Sequence, residues 1–163
     1  MFKLFGKKKG NEIELHSVAT GEVVPITEVS DPVFSQKMMG DGYAVKPSSS
    51  QVFAPVSGKV VSIFPTKHAV AIQNEKGLEC LLHMGIDTVD LKGVPFDILV
   101  KEGDSITPTT QLATVNLEAL KNANKQNDLI VVFTNFSDVV DSFNLSQVGQ
   151  SSEQDVVGHL TLK

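Results

Sequence analysis

The chain has 163 residues, enough for one domain with a sizeable core, and its 41% apolar and 20% charged residues are those of an ordinary globular protein. A net charge of −5 argues against a nucleic-acid surface, which carries a basic patch, and the single cysteine, Cys80, rules out an internal disulfide framework. No apolar run reaches the roughly 18–20 residues needed to span a bilayer, and the start, MFKLFGKKKG, reads as no secretory signal, so a cytoplasmic protein is expected.

Residues 1–10 are expected to form a flexible basic tail and residues 11–163 a single domain. Phe2, Leu4 and Phe5 beside four lysines suit a solubilising segment that makes at most weak contact with an anionic membrane surface. Ile13 to Ile26 alternates loosely, with Gly21 as punctuation, and reads as a strand or hairpin; His16 within it reads as a surface histidine. In SDPVFSQKMMGDG, Ser30 to Gly42, Pro32 restricts Asp31 and excludes a central strand. Phe34, Met38 and Met39 in that loop either fold inward or form a binding surface.

Val52 to Phe64 reads as strand, Ser57-Gly58 turn, strand, ended by Pro65. Phe96 to Val100 and Gln111 to Val115 are further short strands, and Leu117 to Lys125 is the one helix the pattern predicts. Asp128 to Thr134 is strongly β-branched and predicts a strand buried on both faces; Val156 to Leu162 closes the chain. Many short strands separated by turns indicate an all-β sandwich or barrel.

Two histidines, His68 and His83, flank the turn signal Asn74-Glu75-Lys76-Gly77. A hairpin closed around Glu75-Lys76 sets His68 directly opposite His83 and Val70 opposite Leu81, on one face, with Cβ atoms roughly 4.5–5.5 Å apart. A two- or four-residue turn preserves this pairing; a three-residue turn sends one histidine to the other face. Three chemistries use paired imidazoles. A zinc site needs further ligands, yet the chain has no HxH, no HExxH and no cysteine pair, and Cys80 faces away from His83 on a regular strand. General acid–base catalysis suits histidine near neutral pH. Nucleophilic catalysis uses a neutral imidazole nitrogen to accept a phosphoryl group while its neighbour stabilises the developing charge.

The runs SDPVFSQKMMGDG, APVSGKV, FPTKHAVAI, LLHMGIDTVDLKG and EGDSI resemble enzyme IIA of the glucose class, the phosphocarrier of the bacterial phosphoenolpyruvate-dependent sugar phosphotransferase system. The resemblance covers nearly the whole chain after the tail. It implies an antiparallel β-sandwich with little helix, of the barrel-sandwich hybrid type. It makes His83 the phospho-accepting residue, modified on Nε2, His68 the second active-site histidine, and Thr66 the hydroxyl that orients His68. It makes Asp31 and Asp87 acidic residues that flank the site and meet an arginine of the donor HPr, and Val33, Phe34, Phe64 and Val89 the surrounding apolar ring. The implied partners are HPr, the IIB domain of a sugar permease, whose cysteine takes the phosphoryl group, and regulatory protein targets. No cofactor is implied, and no metal in the isolated protein; His68 and His83 are possible zinc ligands in a complex. Asn116 stands where the family more commonly has aspartate.

Two other readings compete. One is an enzyme IIA-like regulatory protein with no transport role. The other is a biotinyl or lipoyl carrier, in which a lysine in a hairpin turn, here Lys121, holds the cofactor; it leaves the paired histidines unexplained.

Overall fold

The computed structural model describes residues 10–163; residues 1–9, the bulk of the expected tail, lie outside the described residues. Fourteen short strands carry the fold: β1 Glu12–His16, β2 Gly21–Pro25, β3 Gly42–Pro47, β4 Gln51–Phe53, β5 Gly58–Ile63, β6 Ala69–Gln73, β7 Glu79–Met84, β8 Phe96–Ile98, β9 Ser105–Ile106, β10 Gln111–Val115, β11 Leu129–Phe133, β12 Val140–Leu145, β13 Gly149–Ser151 and β14 Val156–Leu162. Between them lie three helices of one or two turns, α1 Pro32–Ser35, α2 Leu117–Asn122 and α3 Phe136–Val139. An eight-stranded sheet runs in the order β13-β2-β3-β11-β7-β6-β5-β9, beside two three-stranded sheets, β1-β14-β12 and β4-β10-β8. The pairings are antiparallel throughout. The expected antiparallel all-β architecture with little helix is what the chain adopts.

Successive strand residues point to opposite faces, and here both faces of the large sheet are covered. On the inner face, Leu82 and Met84 of β7, Leu129, Val131 and Phe133 of β11, Tyr43 and Val45 of β3, and Val70 and Ile72 of β6 join the main core. On the outer face, Val24, Ala44, Ile130 and Val132 form a second, smaller cluster with Ile26, Val29, Phe34 and Ile86. The strand β11 is therefore buried at all five positions, as its unbroken β-branched run predicts.

Several elements depart from the sequence expectation. Val52 to Phe64 is not a hairpin: β4 pairs with β10, while β5 pairs with β6 and β9, so the Ser57-Gly58 turn carries the chain between sheets. Likewise β1 and β2 belong to different sheets. Helix α2 ends at Asn122, and Asn116 caps it, its side chain accepting from the Ala119 N–H at 2.9 Å, a role aspartate fills equally well. Lys121 thus sits on a helix and not in a hairpin turn, which removes the biotinyl-type reading. Helix α1 was not expected; Asp31 caps it through the Val33 N–H, with Pro32 in its first turn. His16 is partly buried, its Nδ1 2.8 Å from Gln154 O, and so is a structural residue more than a surface one.

The central hairpin differs in register. Pairs run Gln73 with Glu79, Ile72 with Cys80, Val70 with Leu82 and Ala69 with His83. The Gly77 N–H closes the turn onto Asn74 O and the Asn74 N–H bonds Leu78 O, so three residues form the loop and not two. Val70 and Leu82 face the main core, and the partner of His83 is Ala69, not His68. Cys80 faces the inner core, as its spacing from His83 predicts.

Candidate functional site

His83 pairs with Ala69 on one side and Ile130 on the other, which puts its side chain on the outer face beside the smaller cluster. On a regular β6, His68 would point the opposite way. The ladder continues as far as the Met84 N–H, which donates to His68 O at 2.7 Å, but His68 itself lies in the loop between β5 and β6. That loop turns at Phe64–Lys67, where the Lys67 N–H bonds Phe64 O and Lys67 takes a left-handed φ of 61°. Such a conformation costs a non-glycine residue about 1–2 kcal/mol, and here it accompanies the rotation of His68 onto the outer face. The two imidazoles end 5.0 Å apart between centroids, nearly perpendicular at 75°. The histidines meet as expected, although the proposed register is wrong.

Two phenylalanines close the row. Phe34 of α1 lies 5.0 Å from the His83 ring, and Phe64 meets the His68 ring edge-on at 5.4 Å. Phe34 is buried, whereas Phe64 is 36%, Val33 41% and Val89 48% exposed. Met38 and Met39, on the loop after α1, are exposed too, so of the three apolar residues singled out in that loop only Phe34 folds inward. Beside Phe64 the face continues into an apolar cleft of about 330 Å³, with Val61, Ala71 and Leu81 among its lining.

Hydrogen bonds assign the ring nitrogens. His83 Nδ1 lies 2.8 Å from Gly85 O. A carbonyl only accepts, so Nδ1 carries the proton and Nε2 of the neutral ring holds the free lone pair. His68 Nδ1 lies 2.6 Å from Thr66 Oγ1, a hydroxyl able to donate or accept. Burial, followed by the neighbouring His68, pushes His83 down to about 4; the Gly85 carbonyl and the carboxylates of Asp31 and Asp87 act in the opposite sense without offsetting this. Burial also lowers His68, which is 6% exposed. Both rings are thereby held neutral at neutral pH. Asp31 and Asp87 are near enough to bias His83; Asp87 is exposed, in a left-handed turn of φ 58° before the 3-10 turn Thr88–Leu91.

The structure therefore brings His83, His68, Thr66, Phe34 and Phe64 into contact, with both aspartates at the margin and Val33 and Val89 on adjoining turns. Sequence reasoning missed the carbonyl of Gly85; the glycine two places after His83 in HMGID is the signal that could have found it. Among the described residues, no group of three or more histidine, cysteine or acidic side chains is placed to hold a metal ion. No helix among them is long and apolar enough to cross a membrane.

An all-β domain that presents a neutral imidazole nitrogen beside a second imidazole, in an apolar surround, has the makings of a group-transfer carrier. Residues 13–139 match the family described as phosphoenolpyruvate-dependent sugar phosphotransferase system, EIIA 1. The chain belongs to that family, and so is a phosphotransferase component of a sugar-transport system. It is 43% identical over 148 residues to the PTS system glucose-specific EIIA component of Staphylococcus epidermidis, covering 90% of this chain and 89% of that one. It is 46% identical over 149 residues to the PTS system glucose-specific EIICBA component of Streptococcus pneumoniae; there it spans 91% of its own length but only 20% of the relative's. The solved structure of glucose permease IIA from Mycoplasma capricolum has a TM-score of 0.82 and 35% identity, over 91% of this chain and 95% of that one.

Proposed function

We propose that residues 11–163 act as one cytoplasmic phosphocarrier domain, which takes a phosphoryl group from phospho-HPr on His83 and passes it to a cysteine of a sugar-specific IIB domain. The observation that carries this reading is the Nδ1–Gly85 bond, which leaves Nε2 of a neutral His83 as the nucleophilic atom. In the first step the donor's bond to phosphorus breaks as the Nε2–P bond forms. In the second the Nε2–P bond breaks as the sulfur–phosphorus bond of the acceptor cysteine forms, and His83 returns to its neutral state. Thr66 donates its hydroxyl to His68 Nδ1, so His68 carries its proton on Nε2 and offers it to the phosphoryl oxygens. Phe34 and Phe64 keep water from the labile bond. Val33, Phe64 and Val89 dock the partners, Phe34 of the same expected ring being buried against His83, and Asp31 and Asp87 meet the positive charge of HPr. The names of the relatives make glucose the first sugar to test.

The test is incubation with phosphoenolpyruvate, enzyme I and HPr, read by intact mass. One phosphoryl group on the wild type and none on His83→Gln is expected. Full labelling of His83→Gln overturns the assignment. Growth of a deletion strain on the transported sugar separates a transport component from a purely regulatory protein.

A further inference from the structure

The tautomer of His83 depends on where Gly85 points its carbonyl, and the two peptide groups flanking Gly85 are each held at both ends. In the first, Met84 O accepts from Thr88 Oγ1 at 2.6 Å and the Gly85 N–H donates to Asp128 O at 2.7 Å. In the second, the Ile86 N–H donates to Gln126 O at 3.1 Å and Gly85 O faces His83 Nδ1. Two of these four ties end on backbone; the other two end on side chains, that of His83 itself and that of Thr88. Thr88 is a polar residue with no solvent exposure, and its hydroxyl bonds back to the carbonyl four residues earlier. Gly85 has φ +79°, and a Cβ built on it would lie 2.4 Å from Thr88 Cγ2. The methyl of Thr88 thus fills the space beside Gly85 while its hydroxyl fixes the peptide before it.

We propose that Thr88 is a positioning residue for phosphoryl transfer: it sets the turn at Gly85 that keeps the proton of His83 on Nδ1 and the lone pair on Nε2. This rests on the function proposed above, in which Nε2 is the atom phosphorylated. Valine at this place keeps the shape and removes the donor, leaving Met84 O buried without its partner. The peptide is then free to turn, Gly85 O leaves Nδ1, and the proton populates Nε2. The nucleophilic nitrogen is blocked in that tautomer. Serine keeps the donor and loses only the methyl.

The experiment uses the full chain labelled with 15N at histidine. Long-range 1H–15N spectra report which nitrogen of His83 is protonated, and rapid-quench labelling from phospho-HPr reports the rate of phosphoryl acceptance. The wild type should show one tautomer, with Nδ1 protonated. Thr88→Val should show a mixture and accept the phosphoryl group between about tenfold and 10²-fold more slowly, the usual cost of a misplaced reacting group. Thr88→Ser should restore the wild-type tautomer and most of the rate, which a mere volume-filling role would not produce. A folded Thr88→Val protein with the wild-type tautomer overturns the proposal, as does a Thr88→Ser protein as mixed as Thr88→Val. If Thr88→Val does not fold, Thr88→Cys places a weak donor there; identical tautomer populations in Thr88→Cys and Thr88→Ser overturn it equally. Failure of the wild type to take up phosphate would sink the functional reading, while the tautomer comparison would still decide the role of Thr88.

Discussion

Replacing His83 with glutamine should make the folded protein more resistant to acid, even though it removes the nucleophile. In the folded chain, burial and His68 push His83 from 6.5 down to about 4. Above pH 6.5 the ring is neutral in both folded and unfolded chains, and it contributes no pH dependence. Between pH 6.5 and about 4 the unfolded chain takes up a proton that the folded chain refuses, so stability falls as pH falls; below about 4 both forms are protonated and the loss levels off. At about 1.4 kcal/mol per pH unit, the span from 6.5 to about 4 gives an upper figure of about 3 kcal/mol. That is a large share of the roughly 5–15 kcal/mol that holds a typical domain together. The assay is urea unfolding followed by circular dichroism at pH 7 and pH 4, for the wild type and His83→Gln. The wild type should lose up to about 3 kcal/mol more than the variant between the two pH values. Equal losses, or a direct NMR titration placing His83 near 6.5, would refute the reasoning. His68 is common to both proteins.

Three further outcomes are expected. His68→Gln should still accept a phosphoryl group but pass it on about 10²–10³-fold more slowly, the typical cost of one charge-stabilising donor; stopped-flow transfer to the IIB partner at the wild-type rate would exclude that role. Asp31→Asn with Asp87→Asn removes both charges while retaining an N-cap acceptor at 31 and tolerating the left-handed turn at 87. Association with phospho-HPr should slow and lose salt dependence; an unchanged on-rate at low salt counts against the proposed face. Zinc should bind the lone protein weakly, because His68 and His83 supply two ligands where four are the norm, and phosphorylation should abolish that binding by consuming Nε2; a tight stoichiometric site in calorimetry would contradict this.

The strands with the strongest patterns were legible. Asp128 to Thr134 and Val156 to Leu162 contain β11 and match β14, because β-branched runs have few alternatives. Short strands such as β3, β9, β12 and β13 were not, since two to six residues carry too little periodicity against flanking glycines and polar residues. Helix α1 was hidden for the same reason: four residues make no helical pattern, and only its cap and proline betray it. The histidine pair was legible as a pair but not in its construction. A single residue in the Asn74–Leu78 loop decides the register, and the sequence cannot show whether Gly77 falls inside or outside the turn. Nor does a lysine at 67 announce a left-handed backbone, which asparagine or glycine would. Family resemblance named His83, His68, Thr66, Phe34 and Phe64, which meet in the fold, because it needs no register.

The histidines stand on the outer face, over the small cluster, while the main core fills the other side of the same sheet. Changes to the proposed docking face can therefore be drawn from exposed residues beside that cluster, such as Val33 and Val89, leaving the larger core untouched, whereas Val24, Ile26, Val29 and Ile86 are themselves buried. For protein engineering this means a domain whose proposed docking face can be varied in a library at its exposed positions while both buried clusters are kept. Such a library should keep Ile130 and Val132, the two cluster residues that also belong to the fully buried central strand.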